Sequence, residues 1–199
     1  MSLEKYDKMF YGCSSIKHFN SDLTSVIDLN EMFEKDVDFN TFTSSIPSLT
    51  ITPKIFYNKK GLQRFDADMS NLTEGCWLKN ENKVGMFECC YKLESFNGDL
   101  HNLRDGSNMF KNCKKLTSFK GNLRKLQTAT DMFKNCQLDA ESVKNIVESL
   151  KENTNTGSIE LYADSFLQDE VEEILNIDES KAGDLVLTVG KWQVTIIYV

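Results

Sequence analysis

Proline is nearly missing, with two in 199 residues, so no proline-rich linker divides the chain. Histidine is as scarce, limited to His18 and His101, and no Cys-x-x-Cys pair occurs. Without such spacings a zinc site has little support, and we expect no metal and no cofactor. No Gly-x-Ser-x-Gly, phosphate-binding loop or dinucleotide fingerprint is present, and neither histidine has a partner acid and nucleophile at repeating positions. We therefore expect no enzyme. Long apolar runs are absent too: the longest, residues 195–199, falls far short of the ~20 residues that cross a bilayer, which excludes membrane insertion by a helix. Residues 1–8 hold no apolar signal region, so the expected location is cytoplasmic or virion-associated. Basic charge is in deficit, 23 residues against 30 acidic, for a net charge of −7. That balance argues against nucleic acid and anionic membrane as partners.

What the chain has is a period. Met109-Phe110-x-x-Cys113 recurs as Met132-Phe133-x-x-Cys136, 23 residues on. Walking back gives Met86-Phe87, and from the N-terminus Met9-Phe10, Met32-Phe33 and Ile55-Phe56 keep the same step. Only the interval from Ile55 to Met86 differs; it is 31 residues long, with its extra residues at 73–85. Self-similarity at such a period marks a stack of identical units, none of which buries its apolar face alone. The reading is five full repeats and a partial sixth over residues 1–138, followed by a C-terminal capping segment over 139–199.

Aligned from the Met or Ile that opens each unit, apolar columns emerge. Position two is Phe10, Phe33, Phe56, Phe87, Phe110 and Phe133, and position eleven is Phe19, Phe42, Phe65, Phe96 and Phe119. Positions eight, fifteen and eighteen are apolar, aliphatic except for Phe39 and Met69. Position thirteen is small throughout: Ser21, Ser44, Ala67, Gly98 and Gly121. Alternation reads as a short strand near positions nine to fourteen, with eleven, thirteen and fifteen facing inward. Positions ten, twelve and fourteen then form a polar strip. We select from it, as candidate partner-binding residues, His18, Asn20, Thr41, Thr43, Arg64, Asp66, Asp68, Ser95, Asn97, Asp99, Ser118 and Lys120. Trp77, in the insertion, joins them, because insertions in repeat arrays map to loops and loops carry function. Its plainer reading is packing over the unit's edge.

Position fourteen holds Asp22, Asp68 and Asp99, which with Asp66 could ligate calcium. Ser45 and Asn122 interrupt the row, and we read these acids as solvated turn residues. Cys13, Cys90, Cys113 and Cys136 share position five, and we read them as buried free thiols acting as small hydrophobes. Charge is uneven. Lys111, Lys114, Lys115, Lys120, Arg124, Lys125 and Lys134 face only Asp131 over residues 111–134, whereas 139–184 carry a net −10. Both stretches read first as ordinary solvated faces; the alternative is that such polarity steers an oppositely charged partner or favours head-to-tail association of copies. After Cys136 the pattern changes. Asp139 can cap a helix with Val143, Ile146, Val147 and Leu150 on one face. Residues 158–162 read as a strand, 165–177 as a second helix, and 185–198 as a hairpin turning at Gly190-Lys191.

The motif Met-Phe-x-x-Cys-x-x-Leu-x-x-Phe-x-x-x-Leu-x-x-Leu resembles the BspA-like class of leucine-rich repeats, found in surface proteins of gut and oral bacteria and in gut bacteriophage proteins. The likeness covers residues 9–138 and is clearest over 86–136. Asp36 and Lys59 depart from it where the family shows Cys. The resemblance implies an α/β leucine-rich-repeat solenoid with an α/β cap, used for adhesion or for recognising a protein or glycan, without catalytic residues. The alternative it implies is a structural or accessory subunit of a bacteriophage virion, with the repeats as a rigid spacer. The partners expected are a protein or glycan, a homo-oligomer, or a larger particle.

Overall fold

A computed structural model describes residues 9, 10, 13, 15–29, 32, 38–50, 52, 54–177 and 183–199. Phe33 and Asp36 of the second unit, and Asp178, Glu179 and Lys181 of the acidic run, lie outside them. Three small sheets make up the described fold. Five parallel strands, β1 (His18–Phe19), β2 (Thr41–Phe42), β3 (Arg64–Asp68), β6 (Ser95–Asp99) and β7 (Ser118–Phe119), lie side by side in that order. Between β3 and β6 the chain forms an antiparallel pair, β4 (Cys76–Lys79) and β5 (Asn82–Gly85). The C-terminal segment contributes helix α1 (Ala140–Lys151), β8 (Gly157–Ala163), helix α2 (Gln168–Ile174), β9 (Leu185–Val189) and β10 (Trp192–Tyr198). Its sheet runs β8-β10-β9.

This corrects the expected α/β leucine-rich-repeat solenoid with an α/β cap. The described residues are mostly small sheets with only two short α-helices, both beyond residue 139, and no α-helix alternates with the parallel strands. The reason lies in the Met-Phe-x-x-Cys segments. Those of the third to sixth units fold as successive tight turns, as where Cys113 N donates to Phe110 O at 3.0 Å and Leu116 N to Cys113 O at 2.9 Å. Position four between them is left-handed: Asn58 (φ 56°), Cys89 (φ 66°), Asn112 (φ 64°) and Asn135 (φ 61°). A left-handed residue in each of these four units stops a right-handed helix before its second turn, and asparagine tolerates that conformation best among non-glycine residues.

The phenylalanine columns nevertheless stack in register. Phe42↔Phe65, Phe65↔Phe96 and Phe96↔Phe119 are strand partners. Their rings lie nearly parallel, with centroids 5.4, 5.5 and 5.5 Å apart. Position two forms a second column, with Phe87–Phe110 at 5.4 Å and Phe110–Phe133 at 5.5 Å. The columns meet edge to face, as at Phe65–Phe87 (4.7 Å) and Phe96–Phe110 (4.8 Å). Each such pair adds roughly 0.5–1.5 kcal/mol beyond its area burial. The small residue at position thirteen makes this possible: a Cβ on Gly98 would sit 2.6 Å from Phe96 Cζ, and one on Gly121 2.5 Å from Phe119 Cζ.

The cysteines do more than fill space. Cys90, Cys113 and Cys136 are buried, and each thiol donates to the position-two carbonyl of the preceding unit: Phe56 O (3.0 Å), Phe87 O (3.1 Å) and Phe110 O (3.3 Å). Cys13, at the same position, is exposed, and all six cysteines are free.

The far edge of the parallel sheet is finished by side chains. Asp139 caps α1 by accepting from Ser142 N at 2.8 Å, and Val143, Ile146, Val147 and Leu150 bury one face of the helix. Where a sixth strand would lie, the Ser142 hydroxyl accepts from Phe119 N (2.7 Å) and donates to Thr117 O (3.0 Å). Asn145 Nδ2 donates to Gly121 O at 3.1 Å. Buried Asn153 donates to both Leu123 O (3.0 Å) and Leu126 O (2.9 Å).

Candidate functional site

The structure places twelve of the selected residues on one strip across β1, β2, β3, β6 and β7, all half-buried or exposed. Strand pairing aligns His18, Thr41, Arg64, Ser95 and Ser118 in one row. His18 Nδ1 and Thr41 Oγ1 are 2.9 Å apart. Thr43 Oγ1 reaches Phe19 O at 3.5 Å. At the centre, Arg64 Nη2 donates to Asp66 Oδ2 at 2.7 Å, and Asn97 Nδ2 donates to Asp66 Oδ1 at 3.1 Å. Both carboxylate oxygens are thus held, one along β3 and one from β6. Asn20 and Lys120 stand exposed beside this row.

The third row is a turn device. Asp22 Oδ1 accepts from Thr24 N, Asp68 Oδ1 from Ser70 N, Asp99 Oδ1 from His101 N, and Asn122 Oδ1 from Arg124 N, at 2.8–3.0 Å. Each carboxyl or amide closes the bend that follows its strand. The two hydrogen bonds from Thr24 hold the Asp22 carboxyl below its ordinary range.

Trp77 is not with the others. It sits in β4, and its ring meets Tyr57 edge-on at 5.6 Å, in the turn segment of the third unit. The hairpin carrying it is fastened to the next unit. Asn108 Nδ2 donates to Lys83 O at 3.0 Å, and a Cβ on Gly85 would fall 1.8 Å from Asn108 O. At its base, ligand atoms of Glu74, Cys76 and Asp105 lie within 4.8 Å of one another. The Lys83 ammonium is already hydrogen-bonded to Asp105 and supplies the counter-charge. Burial would raise the Asp105 carboxyl, but Lys83 and Ser107 outweigh it and hold it below the usual carboxylate range. Burial, reinforced by the Asp105 carboxylate, pushes the Cys76 thiol up to about 12.

At the strip's C-terminal end a cleft of about 170 Å³ opens between β7 and α1. Ser118, Phe119 and Lys120 line it from the strand, and Asp139, Glu141, Ser142 and Asn145 from the helix start. Sequence reading supplied the strand half only. The other half had one signal: Ser142 and Asn145 are polar residues three apart on a helix whose remaining inward positions are apolar. No protein-family model, curated protein or solved structure matches the chain.

Proposed function

We propose that the protein is a non-catalytic recognition module that binds a protein or glycan through the polar strip. The observation that carries this reading is the Arg64–Asp66–Asn97 network, which spans two strands and fixes three exposed or half-buried polar side chains before any partner arrives. Groups held in one geometry lose little rotamer entropy on binding. The strands beneath are anchored by the stacked phenylalanines, so the strip cannot easily deform. The cleft at its end offers an ammonium (Lys120), a carboxylate (Glu141) and an amide (Asn145) at one point. Such a mixture suits the hydroxyl pairs of a sugar or the polar groups of a protein surface.

The test is capture by the full chain on a glycan array and from an extracellular protein library. The triple variant Arg64→Ala, Asp66→Ala, Asn97→Ala is expected to lose at least tenfold in affinity while its melting temperature holds, since three charge-assisted or polar contacts of about 0.5–1.5 kcal/mol each are removed. Undiminished capture by that variant overturns the reading.

A further inference from the structure

The β8-β10-β9 sheet ends on β9, which pairs with no strand other than β10 among the described residues. Edge strands in natural proteins are usually guarded by a lysine, a proline, a bulge or a covering loop. β9 reads Leu-Val-Leu-Thr-Val and holds no charge and no proline. It pairs with β10 without interruption, residue for residue from Leu185↔Ile196 to Val189↔Trp192. Of its apolar side chains only Val189 is buried: Leu185 and Leu187 are half-buried and Val186 is 56% exposed.

The hairpin turn fixes which backbone groups are free. Gly190 and Lys191 alone join the strands, so Val189 and Trp192 form the closing hydrogen-bonded pair. Alternation then directs the amides and carbonyls of Leu185, Leu187 and Val189 toward β10. Those of Val186 and Thr188 point out of the sheet.

We infer that β9 is a self-association edge, and that its occupant is β9 of a second copy, antiparallel, about a two-fold axis through Leu187. In that register Val186 of one copy faces Thr188 of the other, so the four outward amides and carbonyls of each copy are satisfied reciprocally. Leu187 meets Leu187 across the axis, on the face that already packs on the core. Val186 lies against the partner's Thr188 on the outer face, a β-branched pair of the kind that stabilises strands. The same register sets Asp184 of each copy beside the Gly190-Lys191 turn of the other, an acid against a base. A shift by one residue would set the outward amides of one copy against residues whose amides point toward β10, so that register is excluded. The result is one continuous six-stranded sheet, with both polar strips carried on a single particle. This inference is independent of what the strip binds.

Sedimentation velocity and light scattering on the full chain test it. The wild type is expected to run at twice the chain mass at micromolar concentration. Thr188→Pro removes an outward amide without touching the β10 ladder, and Val186→Lys restores an edge guard; each is expected to run at the chain mass with unchanged circular dichroism. Leu187→Cys in a Cys13→Ser background is expected to form an intermolecular disulfide on mild oxidation, because facing residues of a non-hydrogen-bonded pair lie about 4.5 Å apart, within disulfide reach. A wild type that stays monomeric overturns the inference. So does a dimer that survives both Thr188→Pro and Val186→Lys, or an absence of cross-linking at position 187.

Discussion

Two sheet margins of this molecule, at β7 and at β9, are treated in opposite ways. At β7, helix α1 and the segment after it supply a serine and two asparagines whose side chains stand in for the missing strand. At β9, a strand of five uncharged residues leaves the outward amides of Val186 and Thr188 without a strand partner among the described residues. The first margin closes a stack that could in principle have gone on adding units; the second is as regular as an interior strand. The difference teaches that chain termination and edge exposure are separate problems. A growing array is stopped by polar side chains placed one by one, whereas a finished sheet left unguarded is available to another strand.

The largest expected effect tests how far the stacked interior works as one body. Phe96→Ala, with four ring partners and no exposure, should cost about 3–5 kcal/mol in urea unfolding. Phe19→Ala, near the described end of the same column and 6% exposed, should cost clearly less. Equal losses would mean that position along the column does not matter. Next comes the capped margin. Asn153→Ala strands two buried carbonyls and should cost about 2–3 kcal/mol, whereas Val186→Ser on the bare margin should stay within about 0.5 kcal/mol in the monomer. A similar cost at both sites would erase the contrast between the margins. Cys113→Ala should follow at about 1 kcal/mol, because the Phe87 carbonyl loses its donor and a small void remains.

The last effect is silent at neutral pH. Burial pushes the Cys76 and Cys90 thiols up to about 12. Their folded values lie above those of the unfolded chain, so this contribution is complete below the ordinary thiol range near 9 and is lost as pH climbs from there toward 12. Denaturation midpoints measured through that window should fall, and a Cys90→Ala variant should show a shallower fall. A thiol reagent at neutral pH should reach Cys13 quickly and Cys89 more slowly, leaving the buried four until the protein unfolds.

Much of this was legible in the sequence, and the parts that were not have physical causes. The period, both phenylalanine columns and the small residue beside them could be read because identical units repeat their packing demands. The Asp139 cap and the hairpin at Gly190-Lys191 could be read because both are local. The α/β repeat solenoid implied by the resemblance was wrong, although Asn58, Asn112 and Asn135 signalled left-handed turns; they were read as part of a motif and not for their backbone preference. The Trp77 hairpin was hidden because Asn80 and Glu81 turn it with φ of 49° and 68° and no glycine marks the site. The thiol donors were taken for hydrophobes, since nothing in one unit shows that a carbonyl of the unit before lies 3 Å away. Ser48, Asn71 and Asn102 likewise donate to Thr24 O, Pro47 O and Ser70 O of the preceding unit. The cleft between β7 and α1 arises from two groups of residues at least 19 apart in sequence, and only their spatial approach defines it.

The hairpin between β3 and β6 has a practical consequence. Asp66 and Asn97 are 31 residues apart where other neighbours are 23, yet their strands pair without a slip. All the surplus length is absorbed at one corner, outside the path of the stacked rings. That corner is therefore a port: a peptide tag, a fluorophore-bearing loop or a foreign epitope spliced between Asn80 and Asn82 would ride on the particle's flank while every column beneath kept its alignment.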